Sequence, residues 1–410
     1  MNLYFHSLSF NGYQDDILNS IYSECDDAGK FFIDISRRVN PSRFVSRNGE
    51  WSLPWQQTLI PGFEMPEYNP AFNMSFEEVT NNRAIEIKKR VNTGEQFAVM
   101  YSGGIDSTVV LTSLIKNLTA QELESITICA SAESIIENPT YWKKFIHNKF
   151  KLIDSKTVKY DDLIEQNLTP ITADEGDCIF GTLMGLTLYN NFDYYLESLS
   201  MNTKHRLKNL KYKISSEDVH YSVFEDLIIK HLSVNSNPKF GKLLYEKYHW
   251  NIQTSSVPVY SLHDFFWWLI FNVKYLNCSV RGALYFNDRI DCKTAIYRIF
   301  NWFNGTEYQL WSMVNNNNGQ KIHNTLSTYK YAARNYIYSL DKNEFYRDFK
   351  LKLESLFTIV NKQNVANLPI EQRPAARIFM TDQFEILNID NKDSQTFLRE
   401  SLLNYKINWI

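Results

Sequence analysis

The chain has 410 residues, is 44% hydrophobic, 22% charged and 15% aromatic, and carries a formal net charge of −3. At about 100–200 residues per domain, this length predicts two or three domains. The pI near 6.3 argues against nucleic-acid binding through bulk charge, which favours a domain pI above ~9. With only 14 glycines, about half the usual ~7%, collagen-like and Gly/Ser-linker architectures are excluded.

Residues 1–90 mix aromatic and charged side chains with Pro41, Pro54, Pro61, Pro66 and Pro70. That proline density predicts a small irregular region with a few short elements, one of them a helix over Phe76 to Val91. The chain opens without a basic stretch leading into an apolar one, so no signal peptide is expected. Next, Phe97 to Tyr101 forms a continuous apolar run, the pattern of a strand buried on both faces of a parallel sheet. It leads through Ser102-Gly103-Gly104-Ile105-Asp106-Ser107 into a segment where Val110, Leu111, Leu114, Ile115 and Leu118 recur with helical period. Ser125 to Ser131 reads as a second strand and Pro139 to Phe150 as a second helix. This βαβα pattern predicts an α/β fold with a parallel twisted sheet and flanking helices.

An acidic, glycine-containing stretch, Ala173-Asp174-Glu175-Gly176-Asp177-Cys178-Ile179-Phe180-Gly181, follows the apolar Pro170-Ile171-Thr172. From about residue 220 the texture is mainly helical, with amphipathic segments at Ser222 to Leu232 and Ser327 to Ser339 and a loop tip at Asn315 to Asn318. The longest apolar run, Phe265 to Phe271, is far short of the ~20 residues needed to cross a bilayer. Cys25, Cys129, Cys178, Cys278 and Cys292 are scattered and form no CxxC pair, and no two of the eight histidines share a helical turn. A disulfide framework and a zinc site are therefore not expected, and a cytoplasmic location is. The expected organisation is 1–90, a small N-terminal region; 91–235, an α/β domain; and 236–410, a mainly helical C-terminal part.

The turn Ser102 to Ser107 has a chemistry of its own. Adjacent glycines let successive N–H groups converge on an anion, and the helix start behind them adds unpaired donors and partial positive charge. Asp106 would repel phosphate unless a cation lies between the two. Mg²⁺ is suited to that place, because it binds one or two carboxylates together with phosphate oxygens. The turn thus points to a polyphosphate with Mg²⁺, and the chain contains no GxxxxGK[ST] loop. The plainer reading is a glycine turn that merely caps a helix.

Ser-Gly-Gly-Ile-Asp-Ser resembles the SGGxDS pyrophosphate-binding loop of the N-type ATP pyrophosphatases, the PP-loop superfamily. The resemblance implies a HUP-like adenine nucleotide alpha hydrolase fold and cleavage of ATP between the α and β phosphates. Ala173 to Gly181 is similar to the GEGADELFG segment of asparagine synthetases, β-lactam synthetases and lasso-peptide cyclases. It departs from that segment at Ala173 and at Cys178, where an acidic residue is usual. Lys330-Tyr331-Ala332-Ala333-Arg334 is similar to their KxxxR helix, and Lys350 stands sixteen residues after Arg334, with Lys352 close by. The resemblance implies that Ser102, Gly103, Gly104, Asp106 and Ser107 bind pyrophosphate, that Asp106 and Asp177 hold Mg²⁺, and that Lys350 stabilises the adenylation transition state. Lys350 and Lys352 are equally readable as solvated lysines. Phe286-Asn287-Asp288 has a loose counterpart in the family's PFLD segment.

The function so implied is an amide-forming ligase that uses ATP and Mg²⁺ to adenylate a small-molecule or peptide carboxylate. The chain begins Met1-Asn2-Leu3, without the Cys at position 2 that opens a glutaminase domain. The expected nitrogen donor is therefore ammonia or an amine, with a separate amidotransferase as one source. Two alternatives remain open at this stage: a nucleobase- or NAD-type synthetase of the same superfamily, and a non-catalytic nucleotide-binding module.

Overall fold

The computed structural model describes residues 3–5, 22–26, 30, 47, 62–181, 188, 192–213, 218–233, 238–285, 289–315, 319–322, 328–350, 377–381 and 386–388. The prolines Pro41, Pro54 and Pro61, Phe286 to Asp288, Asn316 to Asn318 and Lys352 lie outside the described residues. The chain divides into two units, each discontinuous in sequence: 66–180 with 279–368, and 1–65 with 181–278 and 369–410.

The first unit is built on a five-stranded parallel sheet. In chain order its strands are β1 (Gln96–Met100), β2 (Ile126–Ala130), β3 (Lys151–Asp154), β4 (Leu168–Thr172) and β5 (Phe300–Asn301), and in space they run β3-β2-β1-β4-β5. Register pairs Val99 with Ile128 on one side and with Ile171 on the other. All five residues of β2 and of β4 are buried, as expected of strands covered on both faces, although β4 carries Thr169, Pro170 and Thr172 among its five residues. Chain order and spatial order reverse between β1 and β4. In open α/β sheets, ligands bind at such a reversal, beyond the carboxyl ends of the strands.

Helix α1 (Phe76–Val91) begins at a capping box in which Ser75 and Glu78 satisfy each other's backbone N–H. It packs along α2 (Ile105–Asn117), to which it is tied by Ser113 Oγ donating to the Thr80 carbonyl at 2.9 Å. Four further helices matter to the site: α3 (Gly176–Phe180), α4 (Thr306–Val314), α5 (Tyr331–Asp341) and α6 (Glu344–Phe349). Phe76 holds the start of α1 against three of them, its ring centroid 5.3 Å from Phe180, 5.0 Å from Trp311 and 6.2 Å from Tyr336.

The predicted strand at Phe97 to Tyr101 and helix at Phe76 to Val91 are present to within a residue. Pro139 does open a helix, with Asn138 Oδ1 accepting from Tyr141 N at 3.2 Å. That helix widens into a π turn over Trp142–Ile146 and ends there, before Phe150, with His147 as its C-cap and Asn148 just beyond it in the left-handed conformation (φ 61°). β5 lies inside a stretch read as helical; two residues are too few to show a strand's alternation.

The second unit buries the apolar run Phe265 to Phe271 completely, within Leu262–Trp268 and the π segment that follows it. Among the described residues no helix is long and apolar enough to cross a membrane. Arg47 is 2% exposed. Its guanidinium lies 3.8 Å from the centre of the Tyr275 ring and donates to the carbonyls of Phe63 (3.0 Å), Phe271 (3.2 Å) and Glu64 (2.8 Å). The same unit contains a small antiparallel sheet in which Arg377–Thr381 lies between Leu3–Phe5 and Ile386–Asn388, two more strands in a region expected to be helical.

Candidate active site

The polar turn leaves the carboxyl end of β1. Gly103 adopts φ +73°, and a Cβ there would come within 2.3 Å of the Ser134 carbonyl oxygen and 2.7 Å of Glu137 Cβ. Both facts restrict the position to glycine. The two serines shape the turn. Ser107 Oγ accepts from Ser102 N at 3.1 Å, lies 3.1 Å from Ser102 Oγ and donates to the Gly104 carbonyl at 3.2 Å; Ser102 Oγ accepts from Gly104 N at 3.3 Å. Gly104 stands at the N-cap of α2 without a side-chain cap. The first turn of α2, which contains Asp106, therefore keeps the donor-rich character that attracts anions.

Asp177 arrives from the neighbouring strand. Beyond β4 the chain passes Ala173 to Glu175 and enters α3, with Asp177 in its first turn. Two contacts seat this short helix: Ser312 Oγ of α4 donates to the Ile179 carbonyl at 2.5 Å, and Phe180 packs its ring 5.3 Å from Trp311. Cys178, the departure from the familiar acidic pattern, is fully buried. Gly176 lies against Asp106, since a Cβ on it would be 2.4 Å from Asp106 Cγ. The segments after β1 and β4, about 70 residues apart in sequence, thus meet at the reversal of strand order.

Between the two carboxylates stands Lys330. Its ammonium pairs with Asp106 Oδ2 and lies 2.8 Å from Asp177 Oδ1, while Tyr329 Oη donates to the same Asp177 oxygen at 3.2 Å. The Lys330 side chain is 5% exposed, whereas Asp106 and Asp177 remain 23% and 30% exposed. Asp106 Oδ1, the oxygen turned away from the ammonium, is itself buried, so the exposure of that side chain does not lie on this oxygen. Burial alone would lower the Lys330 pKa, but the charges of Asp106 and Asp177 outweigh it and raise the value above the ordinary one. The residue is left-handed (φ 62°, ψ 39°) at the N-cap of α5, a conformation that costs a non-glycine residue about 1–2 kcal/mol.

Lys350 occupies a different place. It follows α6 and forms an ion pair with Glu137 in which the two side chains are 4% and 5% exposed. Glu137 flanks Gly103, so Lys350 sits beside the glycine turn and is not between the aspartates. Tyr346 of α6 donates through Oη to the Gly103 carbonyl at 3.2 Å. Arg334 Nη1 donates to the Arg347 carbonyl at 2.8 Å and Arg334 Nε to the Tyr329 carbonyl at 2.7 Å. One guanidinium thereby links α6 to the residue preceding Lys330.

Ser102, Gly103, Gly104, Asp106, Ser107 and Asp177 therefore converge, with Lys350 on their flank. Lys330, Tyr329, Tyr346 and Glu137 complete the arrangement. Of these, the sequence flagged only Lys330, as the first residue of the KxxxR pattern; the others carry no pattern of their own.

The donor set suits a magnesium ion that arrives with phosphate. Two carboxylates already face one cationic group, which is what such an ion requires from protein. Among the described residues no group of three or more His, Cys, Asp or Glu is placed to hold a metal ion. No family model matches the chain, and neither does any curated protein or solved structure.

Proposed function

We propose that the chain is an ATP-dependent, AMP- and pyrophosphate-forming ligase of the PP-loop kind, most like the synthetase half of asparagine synthetases, with a HUP-like sheet. The observation that carries this reading is the meeting of the Ser102–Ser107 turn with Asp177 at the reversal between β1 and β4. In this reading the N–H groups of the turn and of the first turn of α2 receive the β and γ phosphates. Asp106 and Asp177 would hold Mg²⁺, which neutralises charge on those phosphates when bound. The substrate carboxylate attacks the α phosphorus and pyrophosphate departs, leaving an acyl-adenylate. An amine or ammonia then attacks the acyl carbon, AMP leaves, and an amide remains. Lys350, beside Gly103, is placed to meet negative charge developing on the phosphates once Glu137 releases it. A separate amidotransferase is a fitting source of ammonia.

The test is ATP–pyrophosphate exchange with a panel of amino acids, peptides and other carboxylates. Exchange is expected with at least one of them and is expected to vanish in Asp106→Ala. Stabilisation by purines with no exchange from any carboxylate would move the reading to a nucleobase-type synthetase. Failure to bind ATP at all would remove it.

A further inference from the structure

We propose that Lys330 is a built-in stand-in for the metal: it holds Asp106 and Asp177 together and keeps free divalent cations out until one arrives bound to a polyphosphate. This rests on the ligase reading of the same site. Three observations carry it. The ammonium bridges the two carboxylates, lying 2.8 Å from Asp177 and paired with Asp106, in the position of a shared cation. The lysine side chain is 5% exposed, while those of Asp106 and Asp177 keep 23% and 30% of their surface, Asp106 Oδ1 excepted, so the ammonium does not shut the carboxylate pair off from solvent. The side chain is aimed there by a left-handed residue at the start of α5, and strain retained at a site is a mark of constraint.

Charge decides the order of events. Two carboxylates and one ammonium leave a single negative charge, little inducement for Mg²⁺ to shed water. A metal already coordinated by phosphate has lost some of that water and brings anionic oxygens close to the ammonium. Lys330 can then leave the aspartates without losing a partner. No covalent step is involved; one cation replaces another between the same two carboxylates.

The experiment is calorimetric titration of the full chain with Mn²⁺ alone and with Mn²⁺ plus pyrophosphate, for wild type, Lys330→Gln and Lys330→Arg. Wild type and Lys330→Arg are expected to take up Mn²⁺ at least tenfold more weakly without pyrophosphate than with it. Lys330→Gln is expected to bind Mn²⁺ alone at least tenfold more tightly than wild type. A lysine that only braces the fold predicts no such gain, and its absence in a Lys330→Gln protein with wild-type circular dichroism overturns the proposal. Should Lys330→Gln fail to fold, wild type decides: pyrophosphate that binds but leaves the Mn²⁺ affinity unchanged overturns it. Pyrophosphate that does not bind wild type even with Mn²⁺ removes the ligase reading instead, while the Mn²⁺-alone gain in Lys330→Gln still decides the role of the lysine.

Discussion

Each unit buries a basic side chain, and the two do so in opposite ways. Arg47 is surrounded by main-chain carbonyls and aromatic rings. These partners hold a fixed planar fork of donors and attract a metal only weakly. Lys330 is set against two carboxylates that still touch solvent, partners that another cation can claim. A charge buried for architecture is satisfied by groups with no competing ligand; a charge buried beside exchangeable carboxylates can be displaced. Burial alone does not separate the two cases, and the chemistry of the partners does.

The comparison can be broken most directly at the carboxylates. Asp106→Asn and Asp177→Asn are each expected to lower metal-dependent pyrophosphate affinity on the order of a hundredfold while the fold persists, as calorimetry and circular dichroism would show. Equal affinity in either variant would place the metal elsewhere. At the other buried cation, Arg47→Met is expected to cost about 3 kcal/mol or more, because several buried carbonyls lose their donor. Urea denaturation would measure that loss, and Mn²⁺ should not restore it; rescue by Mn²⁺ would erase the distinction drawn above. Gly176→Ala sharpens the contrast at smaller cost. Its Cβ would press on Asp106, with an overpacking penalty of about 1–3 kcal/mol and weaker pyrophosphate binding by the same assay. The smallest effect is expected from Tyr346→Phe. Loss of its hydrogen bond to Gly103 should cost ~1 kcal/mol, about a fivefold change if all of it falls on pyrophosphate affinity. An unchanged affinity would show that the turn holds its shape unaided.

How much of this was legible in sequence depends on how locally each part is specified. The glycine turn was readable because its strand, its six polar residues and its helix are contiguous. Asp177 lies in one short acidic segment after a strand, and it was singled out there by the family resemblance of that segment. Lys330 was visible as one end of a KxxxR pattern, but its place between Asp106 and Asp177 arises from tertiary contacts across 224 and 153 residue positions. Lys350 was singled out by the family resemblance, and its partner Glu137 lies 213 positions away, a pairing no local pattern encodes. β5 escaped because a two-residue strand has no period, although its pairing with Ile171 and Thr172 makes β4 an interior strand. The alternation of discontinuous segments between the two units likewise leaves no mark on local composition.

The reversal of strand order has a consequence for how this protein can change. Both aspartates issue from β1 and β4, which are neighbours in the sheet. The whole excursion through β2 and β3 is a detour in the chain that supplies neither carboxylate. It does supply Glu137, the partner of Lys350. Variation along that excursion therefore reaches the glycine turn and one lysine, through Ser134 and Glu137, while both carboxylates are carried by segments outside it.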